Sequence, residues 1–260
     1  MRRLDSPAIP QLAVPVAVPI EMAREGYATS STRAQATGDL GLIAFFYLLR
    51  VGEYTAPRVV VKNGRIVHAT RTKQFRVMDV GFFKDGKLLH KKSPLAKLLE
   101  ADSATLKISN QKNGRMGQTI HHKTSEGFNS CVRALARRIH HILTNGGNKH
   151  SLISTYHDGD KLNTVTPDDI RRSIRRSIKT LKLHEAGLDP DLVGTHSLRA
   201  GGAMALKLNK EDDSVIMKYG RWSSNTFLMY IHNQIGHLAE GISTKMSTPV
   251  PFLNIASITH

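Results

Sequence analysis

The sequence predicts a mainly helical α+β fold with a small antiparallel sheet in its N-terminal third. Several stretches place apolar residues at helical spacing behind recognisable caps. Between Pro57 and Lys123 the pattern changes to short β-rich runs separated by Asp85-Gly86 and Asn113-Gly114, both hairpin signals. The chain has 260 residues, 40% of them hydrophobic, enough for one large domain plus a flank without covalent staples.

Taken in order, Pro7 to Pro19 reads as an extended linker, because Pro10, Pro15 and Pro19 interrupt the apolar stretch Ile9 to Ile20 that follows Arg2 and Arg3. Those prolines also argue against a signal-peptide helix. Ile20 to Tyr27 is expected to be a short helix and the Ser/Thr-rich Ala28 to Thr37 a loop. From Asp39, a possible N-cap, a helix apolar on nearly every side runs to Tyr54 and delivers Arg50 and Glu53 at its C-terminal end. Phe75 to Phe83, Thr105 to Ser109 and Gln118 to His122 are the strand candidates. Asn129 to Leu143 carries Leu135, Ile139, Ile142 and Leu143 at helical spacing and meets a stop at Asn145-Gly146-Gly147. Thr166-Pro167-Asp168-Asp169 combines an N-cap, a first-turn proline and acidic residues suited to the helix dipole. The helix it opens puts Ile170, Ile174, Ile178 and Leu181 on one face, and Arg171, Arg172, Arg175, Arg176 and Lys179 on the rest. Two helices follow, Thr195 to about Leu208 through Gly201-Gly202, and Ser214 to Tyr219 with Gly220 as its stop. A last helix starts at Ser223 or Ser224 and carries Phe227, Leu228, Tyr230 and Ile231.

Charge narrows the partner. Thirty-seven Lys+Arg against 21 Asp+Glu leave a net charge of +16, an excess that attracts polyanions, and the cationic stripe from Arg171 to Lys179 is a candidate contact for DNA phosphates. A single cysteine, Cys131, permits no internal disulfide and no cysteine-rich zinc site, which fits a reducing compartment. The sequence lacks a glycine-rich phosphate loop with a following Gly-Lys-Ser/Thr, and it lacks G-x-S-x-G, H-E-x-x-H and C-x-x-C. Neighbouring histidines (His121-His122, His140-His141) diverge on a strand or lie about 100° apart on a helix, so no metal is expected.

The informative block is Gly194-Thr195-His196-Ser197-Leu198-Arg199-Ala200-Gly201-Gly202, followed by Gly220-Arg221-Trp222-Ser223-Ser224 and Tyr230-Ile231-His232. His196 and Arg199, three apart at a helix start, share a face and can address one ligand. With Arg50, in Leu49-Arg50-Val51-Gly52-Glu53, two arginines can clamp one phosphate through their planar forks. Taken singly, each residue has an ordinary reading: a helix-end ion pair for Arg50 and Glu53, core aromatics for Trp222 and Tyr230, a solvated lysine for Lys112.

In this order the elements resemble the tyrosine recombinase family, the phage-type integrases and related recombinases. The family pattern is Arg, a hairpin Lys, His-x-x-Arg, His or Trp, then a nucleophilic Tyr. The Gly-Arg-Trp…Tyr-Ile-His form is most similar to the recombinases of eukaryotic crypton-type mobile elements, and the resemblance spans roughly Pro15 to His237. It implies that Arg50 is the first arginine, Glu53 its supporting carboxylate and Lys112 the hairpin lysine. His196 and Arg199 match the His-x-x-Arg pair, Trp222 the His/Trp position and Tyr230 the nucleophile. The implied activity is DNA strand breakage and rejoining through a 3′-phosphotyrosyl intermediate, in site-specific recombination or element integration, with no metal, ATP or other cofactor. The implied partner is double-stranded DNA, on which members assemble as oligomers, with no membrane involved and a nuclear location in a eukaryote or the cytoplasm and nucleoid otherwise.

The expected organisation is a Pro-rich linker with a short helix over 1–38, the family's N-terminal DNA-binding domain being absent, then a catalytic domain over 39–247 and a tail over 248–260. Two other readings stay open: a non-catalytic DNA-binding protein on a degenerate recombinase scaffold, and a type IB topoisomerase, which shares the tyrosine chemistry.

Overall fold

The structure is a computed structural model that describes residues 11–56, 59–62, 65–68, 73–108, 117–125, 127, 129–224 and 228. Two helices, α1 (Ala17–Tyr27) and α2 (Thr32–Phe46), lead into the single turn α3 (Val51–Tyr54). A ladder of β1 (Val59–Lys62) and β2 (Arg65–His68) follows, then β3 (Val80–Lys84), β4 (Lys87–Leu88), the short α4 (Leu95–Leu99), β5 (Ser103–Ile108) and β6 (Gln118–Lys123). Helix α5 (Cys131–Thr144) precedes a second ladder, β7 (Thr155–Asp158) and β8 (Lys161–Thr164). Three helices complete the described part: α6 (Pro167–Thr180), α7 (His196–Leu208) and α8 (Asp213–Gly220). The architecture is the predicted one, mainly helical with a small antiparallel sheet, ordered β4-β3-β5-β6, to which the two-stranded ladders β1-β2 and β7-β8 are added.

Alternation sets the sheet. Val80 pairs with Leu106, Phe82 with Ala104, and Leu106 with Ile120. All five side chains are at most 2% exposed, and the sheet's inner face meets α5. Asp85 and Gly86 both adopt positive φ, 49° and 73°, the geometry of a two-residue hairpin turn between β3 and β4. Asn113-Gly114 lies outside the described residues.

Helix α6 opens as predicted. Thr166 Oγ1 accepts the backbone N–H of Asp169 at 3.2 Å and the Asp169 carboxylate accepts the N–H of Thr166 at 2.9 Å, a reciprocal cap with Pro167 at the first helical position. Ile170, Ile174 and Ile178 are fully buried, each contributing about 1.5–3 kcal/mol of apolar transfer. Ser130 caps α5, and Gly146, at φ 81°, turns the chain away after it.

The N-terminal region departs from expectation. Pro19 does not sit in an extended linker; it lies in the first turn of α1, where a helix has no use for the missing N–H. Val14, Val18, Met22 and Ala23 enter the same core as Leu40 and Ile43. The expected Ala28–Thr37 loop is instead largely the start of α2, capped by the Ser31 hydroxyl accepting from the Ala34 N–H at 3.2 Å. Asp39 is therefore no cap. It is buried in the middle of α2, where Arg137 Nε of α5 donates to it at 2.9 Å and the Tyr27 hydroxyl at 2.8 Å, which makes a carboxylate tolerable at that depth.

Nor does one helix run from Asp39 to Tyr54. It ends at Phe46, Leu48 takes the left-handed conformation (φ 49°), and the chain restarts as α3. Helix α7 presses against α2 and the segment before α1, because Gly201 and Gly202 carry no side chain. A Cβ at these positions would lie 2.1 Å from the Val14 carbonyl oxygen and 2.3 Å from that of Phe45. The stop of α8 is Arg221, left-handed at φ 59°, and not Gly220, which is the last helical residue. The expected final helix with Phe227, Tyr230 and Ile231 lies outside the described residues, apart from helical Leu228, which packs with Ala203 and Ile216.

Candidate active site

The break in the chain after α2 builds the first half of the site. Arg50 caps α3, and Glu53 Oε2 accepts the Arg50 backbone N–H at 2.8 Å, closing the first turn. The Arg50 guanidinium approaches the same carboxylate more loosely, with Nη1 3.5 Å from Oε1. Glu53 is 3% exposed, whereas the Arg50 side chain keeps 24% of its surface open.

Helix α7 builds the second half. Arg199, 4% exposed, donates from Nη1 to the Leu48 carbonyl at 2.8 Å and from Nη2 to the Gly220 carbonyl, so its fork bridges the strained turn after α2 and the end of α8. Its Cζ lies 4.3 Å from the centroid of the Trp222 ring, within cation–π range. Gly220 makes room for that ring: a Cβ there would fall 1.7 Å from Trp222 Cζ3. His196 stands at the first turn of α7, and its pKa is held below the usual histidine range. Desolvation by the protein around it is the largest cause, followed by the positive charges of Arg199 and Arg50. Residues far apart in sequence thus act on one imidazole.

Sequence reasoning named Arg50, Glu53, His196, Arg199 and Trp222, and the structure brings these five together. Lys112 and Tyr230 lie outside the described residues. It missed Arg221. This side chain is 0% exposed and closes on Glu53 with two bonds, Nη1 to Oε1 at 3.0 Å and Nη2 to Oε2 at 2.9 Å. Nη2 also donates to the Leu48 carbonyl at 3.0 Å. The available signal was its place between Gly220 and Trp222; no periodicity marks it. Arg50, Arg199, Arg221 and Glu53 together hold three positive charges and one negative. An arrangement of two guanidinium groups beside an imidazole is suited to a phosphate ester, whose non-bridging oxygens carry the charge.

The α6 cations form a separate group on the exposed side of that helix. Arg172 pairs with Asp169 at 2.7 Å, Arg175 with Asp191 at 3.4 Å and Arg176 with Glu25 at 3.1 Å, while Arg171 pairs with Asp168. Lys179 is exposed. The exposed pairs of Arg171 and Arg175 are worth little, about 0–1 kcal/mol each, whereas Arg172 is held by a buried carboxylate. Among the described residues no cluster of three or more His, Cys, Asp or Glu is arranged to hold a metal ion, and no helix is long and apolar enough to cross a membrane.

No protein-family model matches the chain, and no curated protein matches it in sequence. Solved structures do match. The XerH site-specific recombinase bound to a palindromic difH substrate, a post-cleavage complex, superposes with a TM-score of 0.51 at 16% identity, over 90% of this chain and 54% of that one. The pre-cleavage complex of XerH with difH gives a TM-score of 0.51 at 16% identity, over 92% and 55%. The chain therefore spans about half the length of these recombinases. The likeness is one of fold: the mixed helical domain with its small antiparallel sheet is tyrosine-recombinase-like, without pointing to crypton-type members in particular.

Proposed function

We propose that the Arg50–His196–Arg199–Trp222 cluster binds one phosphodiester of double-stranded DNA, and that the chain breaks and rejoins DNA through Tyr230 in recombination or element integration. The observation that carries this reading is that Arg199, from α7, is bonded at 2.8 Å to the carbonyl of Leu48, two residues before Arg50, with Trp222 4.3 Å from its guanidinium, so that residues 151 positions apart meet at one place. A phosphodiester cleaved at this site requires compensation of charge on its non-bridging oxygens, which two forks supply. Tyrosine is a poor nucleophile at neutral pH, and the downward shift of the His196 pKa favours the neutral imidazole, the form that can accept the phenolic proton. The Tyr230 oxygen bonds to phosphorus as the bond to the 5′ oxygen breaks, Lys112 supplies the proton to that oxygen, and a 3′-phosphotyrosyl link remains. A free 5′-hydroxyl reverses the step, so the bond energy is conserved. Trp222, through its indole N–H, contributes one hydrogen bond to the phosphate. Exchange between two duplexes calls for several protomers on DNA, and the Gly-Arg-Trp…Tyr-Ile-His form favours a mobile element of crypton type.

A nicked suicide substrate, whose short 5′-hydroxyl product diffuses away, tests this. The expected result is protein linked covalently to the DNA 3′ end, with the adduct mapping to Tyr230 and lost in Tyr230→Phe while DNA binding persists. Absence of any adduct overturns the reading in favour of a DNA-binding scaffold. An adduct accompanied by supercoil relaxation without exchange between two sites assigns the chain to topoisomerase chemistry.

A further inference from the structure

Arg221 has no part in the site expected from sequence, yet it touches the support of both phosphate-facing arginines. It holds both oxygens of Glu53 at 3.0 and 2.9 Å, and Glu53 in turn accepts the backbone N–H of Arg50 at 2.8 Å. Its Nη2 shares the Leu48 carbonyl, at 3.0 Å, with Arg199 Nη1, at 2.8 Å. Arg50 is thus reached through a carboxylate and Arg199 through a carbonyl. Leu48 presents that carbonyl from a left-handed backbone, a conformation that a leucine keeps only where its surroundings hold it. Arg221 is itself left-handed at φ 59°, in a slot that glycine or asparagine commonly takes at a helix end. Here the slot carries a fully buried guanidinium, and the turn it makes sets Trp222 against Arg199.

Charge gives the arrangement a direction. A buried carboxylate facing Arg50 alone would draw that guanidinium into a close pair. With Arg221 occupying the fork of Glu53, Arg50 stays 3.5 Å from the carboxylate and remains available to an anion. We propose that Arg221 is a positioning residue: by saturating Glu53 and sharing the Leu48 carbonyl, it aims Arg50 and Arg199 together at the phosphate. This rests on the function proposed above.

The test compares Arg221→Gln, Arg221→Lys, Glu53→Gln and the double variant Glu53→Gln/Arg221→Gln. It measures adduct formation at saturating DNA, DNA affinity, and emission of Trp222, the one tryptophan of the chain. Arg221→Gln is expected to slow adduct formation by roughly tenfold to a hundredfold at unchanged affinity, with Arg221→Lys recovering part of the loss and the double variant no slower than the worse single one. Glu53→Gln, though remote in sequence, is expected to shift Trp222 emission to the red and raise its acrylamide quenching, as Arg221→Gln does. Wild-type rates in the Arg221 variants, multiplying losses in the double variant, or affinity falling in step with rate would each overturn the proposal. Should Arg221→Gln fail to fold, Arg221→Lys and the charge-free double variant carry the comparison. Should wild-type protein form no adduct, the function fails, and the emission of Glu53→Gln alone decides the positioning role: a shift upholds it and no shift overturns it.

Discussion

The guanidinium of Arg199 lies 4.3 Å from the ring centroid of Trp222, and the same guanidinium donates to carbonyls at Leu48 and Gly220. Arg199 is thereby held on one side by an aromatic face and along its fork by two loop carbonyls, so its direction is set before any ligand arrives. Preorganisation of this kind is what electrostatic catalysis requires, because no reorientation is needed when charge develops.

Arg199→Lys keeps the charge and loses the fork. It is expected to lower the rate of adduct formation on the order of a hundredfold, about 2.7 kcal/mol in the barrier, while DNA affinity changes little. Trp222→Phe keeps an aromatic face and removes the indole N–H, for a smaller loss of about tenfold. Single-turnover cleavage beside a filter-binding isotherm separates the two quantities.

Lys112→Ala is expected to slow cleavage of ordinary DNA far more than cleavage of a substrate with a bridging 5′ sulfur, whose leaving group needs no proton. Equal losses on the two substrates would remove the lysine from proton transfer.

Two half-buried histidines give the stability a pH dependence. His122 of β6 packs edge-on against Tyr47, with ring centroids 4.5 Å apart, and against Tyr219 at 5.6 Å. Burial brings its pKa down to about 4, and burial followed by the charges of Arg138, His157 and His140 brings that of His141 to about 4. The unfolded chain takes up these protons near pH 6.5 while the folded chain refuses them until about 4, so stability is full above 6.5 and falls as pH drops through that window. His122 alone accounts for up to about 3 kcal/mol. Urea midpoints measured near pH 7 and near pH 5 should diverge, and His122→Gln should narrow the gap.

Asp39→Asn leaves the Arg137 guanidinium, whose side chain is only 10% exposed, without its counter-charge. The expected loss is about 3–5 kcal/mol, and Asp39→Asn/Arg137→Met should recover part of it, because removing both charges also removes the cost of desolvating them. Denaturant midpoints of the three variants check both halves of this statement.

The α6 cations bear on DNA affinity through their partners. Glu25→Gln with Asp191→Asn releases Arg176 and Arg175 from their surface pairs and is expected to tighten duplex binding and steepen its salt dependence. Neutralising Arg172, Arg175, Arg176 and Lys179 together should flatten the plot of log affinity against log salt. An unchanged slope in both experiments would place the stripe in solvent.

The sequence by itself determined the elements whose closing groups lie within a few positions of each other. The Thr166–Asp169 cap of α6, the Ile170, Ile174 and Ile178 face behind it, the Asp85-Gly86 turn and the shared face of His196 and Arg199 are all local, and all stand in the structure. Tertiary structure alone decided that Asp39 is buried against Arg137, that the helix after it breaks at Leu48, and that Arg221 turns inward. The physical reason is separation along the chain. Arg221 meets Glu53 across 168 positions and the Leu48 carbonyl across 173, and neither helical nor strand periodicity carries information over such distances. A left-handed leucine or a buried arginine pays its conformational and desolvation cost only through partners that folding supplies, so it leaves no mark in the residues beside it.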